Sequence, residues 1–327
     1  MDYDPIWDHD AFTNVQMTAA MNLLPRQGQD IADHVPFTET PVYTEDFALD
    51  RTTIGEIDLI PSSDPGSPGD LMKDYERSTA HKFSMPYFTR RTTIRPSEVI
   101  GARIPGSNAT RVFETERQKK QTYLRREFDA TKAHQRWHAL FGKIYDCNGR
   151  LLLDVLSHFQ MQRLKKTITL GSSVEAIDDQ VIDCMDKIER ILGFTPEWYK
   201  LIVTEKGMKE LRRDKVYKEI RTLNKQSTWV DRQDGRKGTI IAEKVEVVYF
   251  QSPHIDETKN LLVPMIPDLG RTINGPSASM DFEGEVLPFY SQSQPLAWNE
   301  GLEIKGSMRT ISYTTRPDAA IEIDFSK

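Results

Sequence analysis

The sequence predicts an α+β protein built around one long helix. Three consecutive segments carry that reading: an extended, Pro-bracketed stretch KFSMPYFTRRTTIRPSEVIGARIPG from Lys82 to Gly106, a polar helical run from about Val112 to Tyr145, and the turn-and-strand sequence DCNGRLLLDVLSHF. A helix of about 34 residues at roughly 1.5 Å per residue is about 50 Å long. A compact globule of this chain has a radius of gyration near 20 Å and so a diameter of about 50 Å. The predicted rod therefore crosses the whole molecule, which points to a structural part.

With 327 residues and 38% hydrophobic content, the chain has room for two compact domains with real cores. The formal net charge of -6 argues against a protein that grips phosphates, because nucleic-acid binding draws on Lys and Arg neutralising the backbone. Any DNA nearby is expected to be contained, not gripped. Cys147 and Cys184 are the only cysteines, too few for a disulfide framework and without the paired spacing of a zinc site, and they suit a reducing cytosol. The start MDYDPIWDHD is acidic and lacks an apolar export core, and no apolar run approaches the roughly 18 residues of a membrane span.

In chain order, AFTNVQMTAAMNLL from Ala11 to Leu24 has a helical apolar pattern in Phe12, Val15, Ala19 and Leu23, stopped by Pro25. It reads as an amphipathic element on an arm or as an ordinary N-terminal helix. From Thr40 to Lys82 the alternation in VYTEDFALDRTTIGEIDLIP and the turn signal DPGSPGD at Asp64 to Asp70 predict a long hairpin. A lone two-stranded hairpin is marginal in water, so another surface is expected to complete it, in its own chain or a neighbour. Phe83 to Ile104 continues extended, with Pro86 and Pro96 confining it to edge geometry.

The long helix is expected to be capped between Ser107 and Thr110, with Glu114 and Glu116 favoured by the helix dipole, and to stop at Asn148 and Gly149. Its first half, ETERQKKQTYLRRE, reads as wet or partner-facing. Leu124, Phe128, Trp137, Leu140, Phe141 and Ile144 place the packing toward the other end. Leu151 to Phe159 and Lys166 to Leu170 read as a strand pair. Val174 to Leu192 reads as an amphipathic helix with Ile177, Val181, Cys184, Met185, Ile188 and Leu192 on one side, ending at Gly193. Beyond it come a strand at Leu201 to Thr204, one or two basic helices over Lys206 to Arg221, and the strongest strand signal at Thr239 to Gln251. Loop-rich sequence then runs to Pro295, and β character returns from Ile304 to Phe325.

Chemistry-bearing patterns are weak. His134 and His138 lie four apart on a helix, as two ligands of one metal ion could, but a metalloprotease motif needs Glu where the chain has Gln135, and no third ligand announces itself. Asp178, Asp179, Asp183 and Asp186 are explained by the apolar stripe opposite them as a solvated face. The basic runs at Lys119, Lys120, Arg125 and Arg126 and at Lys206 to Lys218 suit acidic protein surfaces better than phosphate, and GSPGD lacks the Gly-Lys-Ser/Thr of a phosphate loop. No catalytic residue, cofactor site or metal site is assigned.

Three stretches together resemble the lambda-type major capsid (head) protein family of tailed bacteriophages, capsid protein E. They are KFSMPYFTRRTTIRPSEVIGARIPGS, LFGKIYDCNGRLLLDVLSHFQMQRLKKTITLG and FYSQSQPLAWNEGLEIKGSMRTISYTTRPDAAIEI, the last with its Arg-Pro-Asp step at Arg316, Pro317 and Asp318. With DAFTNVQMTAAMNLLP they spread over the chain in the family's order; the region from Asp231 to Met280 matches little. The resemblance implies the Hong Kong 97-like phage capsid fold. Residues 1–38 would be the N-terminal arm, 39–82 the E-loop, 83–175 the peripheral domain with its spine helix at 112–145, 176–298 the axial domain, and 299–327 strands returning to the peripheral domain. It implies self-assembly into pentamers and hexamers of an icosahedral shell enclosing double-stranded DNA, with scaffold, portal and decoration proteins as partners, in a virion assembled in the host cytoplasm. Pro25, Asp64, Gly66, Gly69, Arg316 and Asp318 are the expected assembly residues. On this basis, excising Asp46 to Met72 should abolish shells and leave a folded remainder. The alternatives are the shell of a cellular nanocompartment and, from another class, a cytosolic metal-dependent hydrolase using His134 and His138.

Overall fold

The structure, a computed structural model, describes residues 13–26, 28–49, 81–101, 109–171, 176–227, 239–252, 255, 258–282 and 284–326. Helix α1 (Asn14–Leu23) begins at Thr13, whose hydroxyl accepts from the Gln16 amide, and stops just before Pro25. Three strands follow, β1 (Phe37–Pro41), β2 (Asp46–Leu49) and β3 (His81–Ser84), and β2 and β3 pair antiparallel with Phe47 opposite Phe83. Strand β4 (Tyr87–Ile94) fills the space between Pro86 and Pro96, and a short helix α2 (Pro96–Gly101) replaces the extended chain expected there. Pro96 sits at the first position of that helix, where its missing N–H costs nothing.

The long helix α3 spans Ala109–Leu140. The helix expected over 112–145 thus ends five residues early. Gly142 takes φ +71, and its amide bonds Ala139 O, which closes the last turn. A Cβ there would lie 2.7 Å from Leu156 Cγ, so the turn also needs glycine for room. Lys143–Tyr145 (β5) and Leu151–Asp154 (β6) form a small hairpin, and the glycine expected as the helix stop, Gly149, supplies the left-handed residue of its turn at φ +77. Helix α4 (Val155–His158) replaces the second half of the expected strand, and β7 (Lys165–Thr169) pairs elsewhere, so no β6–β7 strand pair exists.

Helix α5 (Ile177–Leu192) buries Ile177, Val181, Cys184, Met185, Ile188 and Leu192, the stripe read from sequence, and ends at Gly193 with φ 76. Strand β8 (Tyr199–Val203) and helices α6 (Glu205–Leu211) and α7 (Lys215–Ser227) follow. The single strand expected over Thr239 to Gln251 is a hairpin, β9 (Thr239–Ile241) and β10 (Val245–Tyr249), turned by Ala242 and Glu243, both at positive φ. The stretch expected to be loop-rich carries β11 (Asn260–Pro264), β12 (Gly270–Asn274) and β13 (Tyr290–Pro295). Two long strands close the chain, β14 (Leu302–Thr314) and β15 (Ile321–Ser326).

These strands make two main sheets. One has the order β1-β12-β14-β13, with β4 also on β14; the other has the order β7-β15-β11-β8-β10-β9. The sheets interleave along the sequence. Segment 176–298 supplies β8 to β11 to the six-stranded sheet and β12 and β13 to the five-stranded one, and the final segment divides in the same way between β14 and β15.

Helix α3 touches all three apolar clusters. Phe113, Leu124 and Phe128 pack with Met17, Met21, Ile304 and Met308. Trp137 and Leu140 join the large core of α5 and the six-stranded sheet, and Ala139 joins Phe47, Ile273, Ile311 and Tyr313. The polar half of the helix is therefore not wet along its length. Gln121 is 2% exposed and donates to Met17 O and Ser291 Oγ.

Candidate assembly surfaces

Two segments that the sequence expects to reach neighbours are rooted in this fold. The first root is β2–β3. Phe47 and Leu49 are buried at 5% exposure each; the Phe47 ring stacks on Tyr313 at 6.1 Å and meets Phe83 at 5.8 Å. Arg309 Nη1 lies 2.7 Å from Glu45 Oε1, and the Met85 amide donates to Glu45 O. The β2–β3 pair is thus pinned to β14. The expected assembly residues Asp64, Gly66 and Gly69 lie outside the described residues.

The second root is the arm. Helix α1 lies along the free edge of β13 through Asn14, Thr18 and Asn22, one residue per turn. Asn14 Oδ1 accepts from the Ser293 amide, Thr18 Oγ1 accepts from the Ser291 amide and donates to Ser291 O, and Asn22 Nδ2 donates to Phe289 O. Side chains here satisfy an edge that would otherwise offer unpaired backbone groups. The face expected to pack is the outer one: Val15 is 60% and Leu23 84% exposed, and Met17, Thr18 and Met21 are buried instead. Hydrophobic periodicity missed this because the docking stripe is polar; the i, i+4, i+8 spacing of Asn14, Thr18 and Asn22 was the signal available.

Past the exposed Pro25, a charge network buried at Asp30, Lys132 and Arg136 holds the chain to α3. Arg26 pairs with Asp33 and lies 3.7 Å from Asp30. Arg136 pairs with Asp30, reaches Glu39 Oε1 at 2.7 Å and donates to Thr272 Oγ1. Lys132 Nζ is 3.4 Å from the same Glu39 oxygen, and Asn274 Nδ2 donates to the other. Burial pulls the Glu39 carboxyl upward, but Lys132, Asn274 and Arg136 outweigh it and hold it below its ordinary value. Burial lowers Lys132 to about 8, with Glu39 opposing the shift. Sequence reasoning passed over Lys132 and Arg136, whose partners lie about a hundred positions away.

Arg316 and Asp318 sit at the corner between β14 and β15. Arg316 Nη2 donates to Ile191 O at the end of α5, and its Nε lies 3.5 Å from Asp318 Oδ1. The Arg-Pro-Asp step thus ties a helix end to a strand corner within one subunit. His134 and His138 face each other at 4.4 Å between ring centroids, and His138 meets Tyr145 edge-on. Among the described residues no group of three or more His, Cys, Asp or Glu is placed to hold a metal ion, and no helix is long and apolar enough to cross a membrane.

Comparison with known proteins finds the same architecture. Residues 13–325 match the family model described as phage major capsid protein E. The major capsid protein of Salmonella phage Felix O1 (isolate Felix O1-VT1) is 29% identical over 158 residues, which is 48% of this chain and 42% of that one, so the match spans less than half of the relative's length. Two solved structures share the fold. A putative capsid protein of a prophage of E. coli CFT073 superposes with a TM-score of 0.58 at 11% identity, covering 96% of this chain and 99% of the other. The asymmetric unit of the mature capsid of bacteriophage PhiM1 gives 0.54 at 13% identity, covering 93% and 89%.

Proposed function

The chain belongs to the phage major capsid protein E family, and on that premise we propose that its copies assemble through the two rooted segments into the pentamers and hexamers of an icosahedral head. The observation that carries the reading is apolar surface left open on the described residues. Exposed apolar side chains supply contact groups: Trp298 at 93%, Met280 at 91% and Leu23 at 84%. Trp298 is held outward with φ 62, a conformation uncommon outside glycine.

In this arrangement residues 1–38, including Pro25, form an arm against neighbouring copies, and residues 39–82, with Asp64, Gly66 and Gly69 in the loop, drape over an adjacent copy from the β2–β3 root. The parts 83–175, 176–298 and 299–327 act as peripheral domain, axial domain and returning strands. Arg316 and Asp318 contribute by fixing the β14–β15 corner. Head-to-tail contacts repeated around a ring close it, and several modest interfaces per subunit add up to a stable shell. Double-stranded DNA is enclosed without sequence-specific contacts, as the net charge of -6 suits. A scaffold, a portal and decoration proteins complete a virion assembled in the host cytoplasm.

Sizing and electron microscopy of the purified protein test this. Hollow megadalton particles are the expected result; a monomer at every concentration would overturn the reading. Particles that hold a protein cargo in place of nucleic acid would move it to the nanocompartment shell.

A further inference from the structure

Beneath the arm, where Arg26 and Asp30 face α3, lies a polar cavity of about 120 Å³. A single water needs about 10–15 Å³ of such space, whereas organic-ligand sites begin near roughly 300 Å³, so the cavity suits a small ion with a few waters. Four cations border it, Arg26, Arg125, Lys132 and Arg136, against three carboxylates, Asp30, Glu39 and Asp129. The hydrogen bonds decide which sign is left over.

The carboxylates are committed. Asp30 accepts from the Ala32 amide and pairs with Arg136. Both Asp129 oxygens accept from Arg125 Nε, at 3.0 and 3.1 Å. Glu39 accepts from Arg136 at 2.7 Å and from Asn274 at 3.0 Å. The cations are not. Lys132 Nζ carries three protons, yet among the described residues its only acceptors are the same two Glu39 oxygens, at 3.4 and 3.5 Å, the outer limit of hydrogen bonding. It also lies 4.7 Å from the centre of the Phe289 ring, and Phe289 and Glu39 both border the cavity, so the ammonium is aimed into it. Arg125 spends Nε on Asp129 and Nη1 on Met21 O, which leaves Nη2. Arg26 Nη1 stands 3.7 Å from Asp30 Oδ2, too far to donate. The Lys132 and Arg125 side chains are 5% and 12% exposed, and a buried charge short of partners is costly. Burial loosens the Lys132 proton, Glu39 opposes this, and Arg136 and Arg125 loosen it further; a negative charge in the cavity would offset those two guanidiniums.

We infer that this cavity binds a small monovalent inorganic anion of the chloride type, held by Lys132 Nζ, Arg125 and Arg26, and that the anion fastens the arm to α3. Its ligands come from the arm on one side and the helix on the other, all within one chain.

Thermal melting of the full-length protein in sodium chloride and in sodium gluconate at equal ionic strength tests it, because charge screening is the same in both and gluconate is too large for the cavity. Replacing gluconate by chloride should raise the melting temperature by a few degrees, as a ligand of the folded state does, and bromide should replace chloride. The NMR line width of chloride should show a saturable component with the same affinity. Lys132→Met should abolish both effects. Arg26→Ala, at a half-exposed position, should weaken chloride about tenfold, as the loss of one hydrogen bond to a charged group does. If Lys132→Met fails to fold, the wild-type line width and Arg26→Ala still decide. Equal melting in chloride and gluconate, a line width that never saturates, or an unchanged chloride affinity in both variants would leave the cavity to water and overturn the inference. Because the site lies within one chain, the outcome is the same for dissociated subunits and does not depend on assembly.

Discussion

Lys132 is a cation 5% exposed at its side chain, on a helix that from sequence alone reads as an ordinary polar surface. Its proton is held less firmly in the folded chain, at about 8 against an ordinary 10.5. Between those two values the unfolded chain keeps the proton and the folded chain has released it, so the unfolded state binds more protons and stability rises with pH. Below pH 8 both states are protonated and the contribution is constant. The gain across the window is about 3 kcal/mol at roughly 1.4 kcal/mol per pKa unit. Urea midpoints at pH 7.5 and pH 10 should show that rise in the wild type and lose it in Lys132→Met. An identical slope in both proteins would remove Lys132 as its cause. No sequence pattern marks Lys132 or Arg136, because what distinguishes them from Lys119, a solvated lysine earlier in the same helix, is the position of Asp30 in the folded arm and of Glu39 on β1.

At the level of elements, the crossing of α3 over β14 is set by a missing side chain. A Cβ at Gly306 would stand 2.7 Å from Phe128 Cε2 and 3.4 Å from Leu124 Cδ1. Gly306→Val should therefore lift the helix from the strand and destabilise the subunit by about 1–3 kcal/mol, as overpacked cores do. Phe128→Leu in the same chain should recover part of that loss in a double-mutant cycle. Additive losses would place the strain elsewhere. Elements with strong internal periodicity were legible: α5 was read with its full buried stripe. Elements set by a turn were not. The Ala242–Glu243 turn carries neither Gly nor Asn, so the β9–β10 hairpin looked like one strand. At the end of α3, Gly142 and Gly149 were equally good stops by chemistry; the proximity of Leu156 and Pro317 to Gly142 decided between them.

For the whole molecule, the α+β class, the long helix and the capsid family were legible in the sequence, and the family model matches residues 13–325. The way two sheets share strands from both ends of the chain was not, since β15 pairs β11 and β7 across long separations that no local signal encodes. This changes how the loop should be tested. Removing Asp46 to Met72 would delete Phe47 and Leu49, which belong to the core. Excising residues 51–79 with a short Gly-Ser link keeps the β2–β3 root. That variant should melt within a few degrees of the wild type and form no shells by electron microscopy. Normal shells from it would show that the loop is dispensable for assembly.

The seating of α1 on β13 works as a vernier. Four helical residues advance about 6.0 Å, while two strand residues advance about 6.6 Å, so the rungs Asn14–Ser293, Thr18–Ser291 and Asn22–Phe289 drift by about 1.2 Å from first to last. Three rungs are close to the most such a scale can keep in step, and a shift of one residue turns the stripe by about 100° and loses all of them. The arm therefore has one phase in which it locks. What it offers the outside world, Val15 and Leu23, is aimed by that phase.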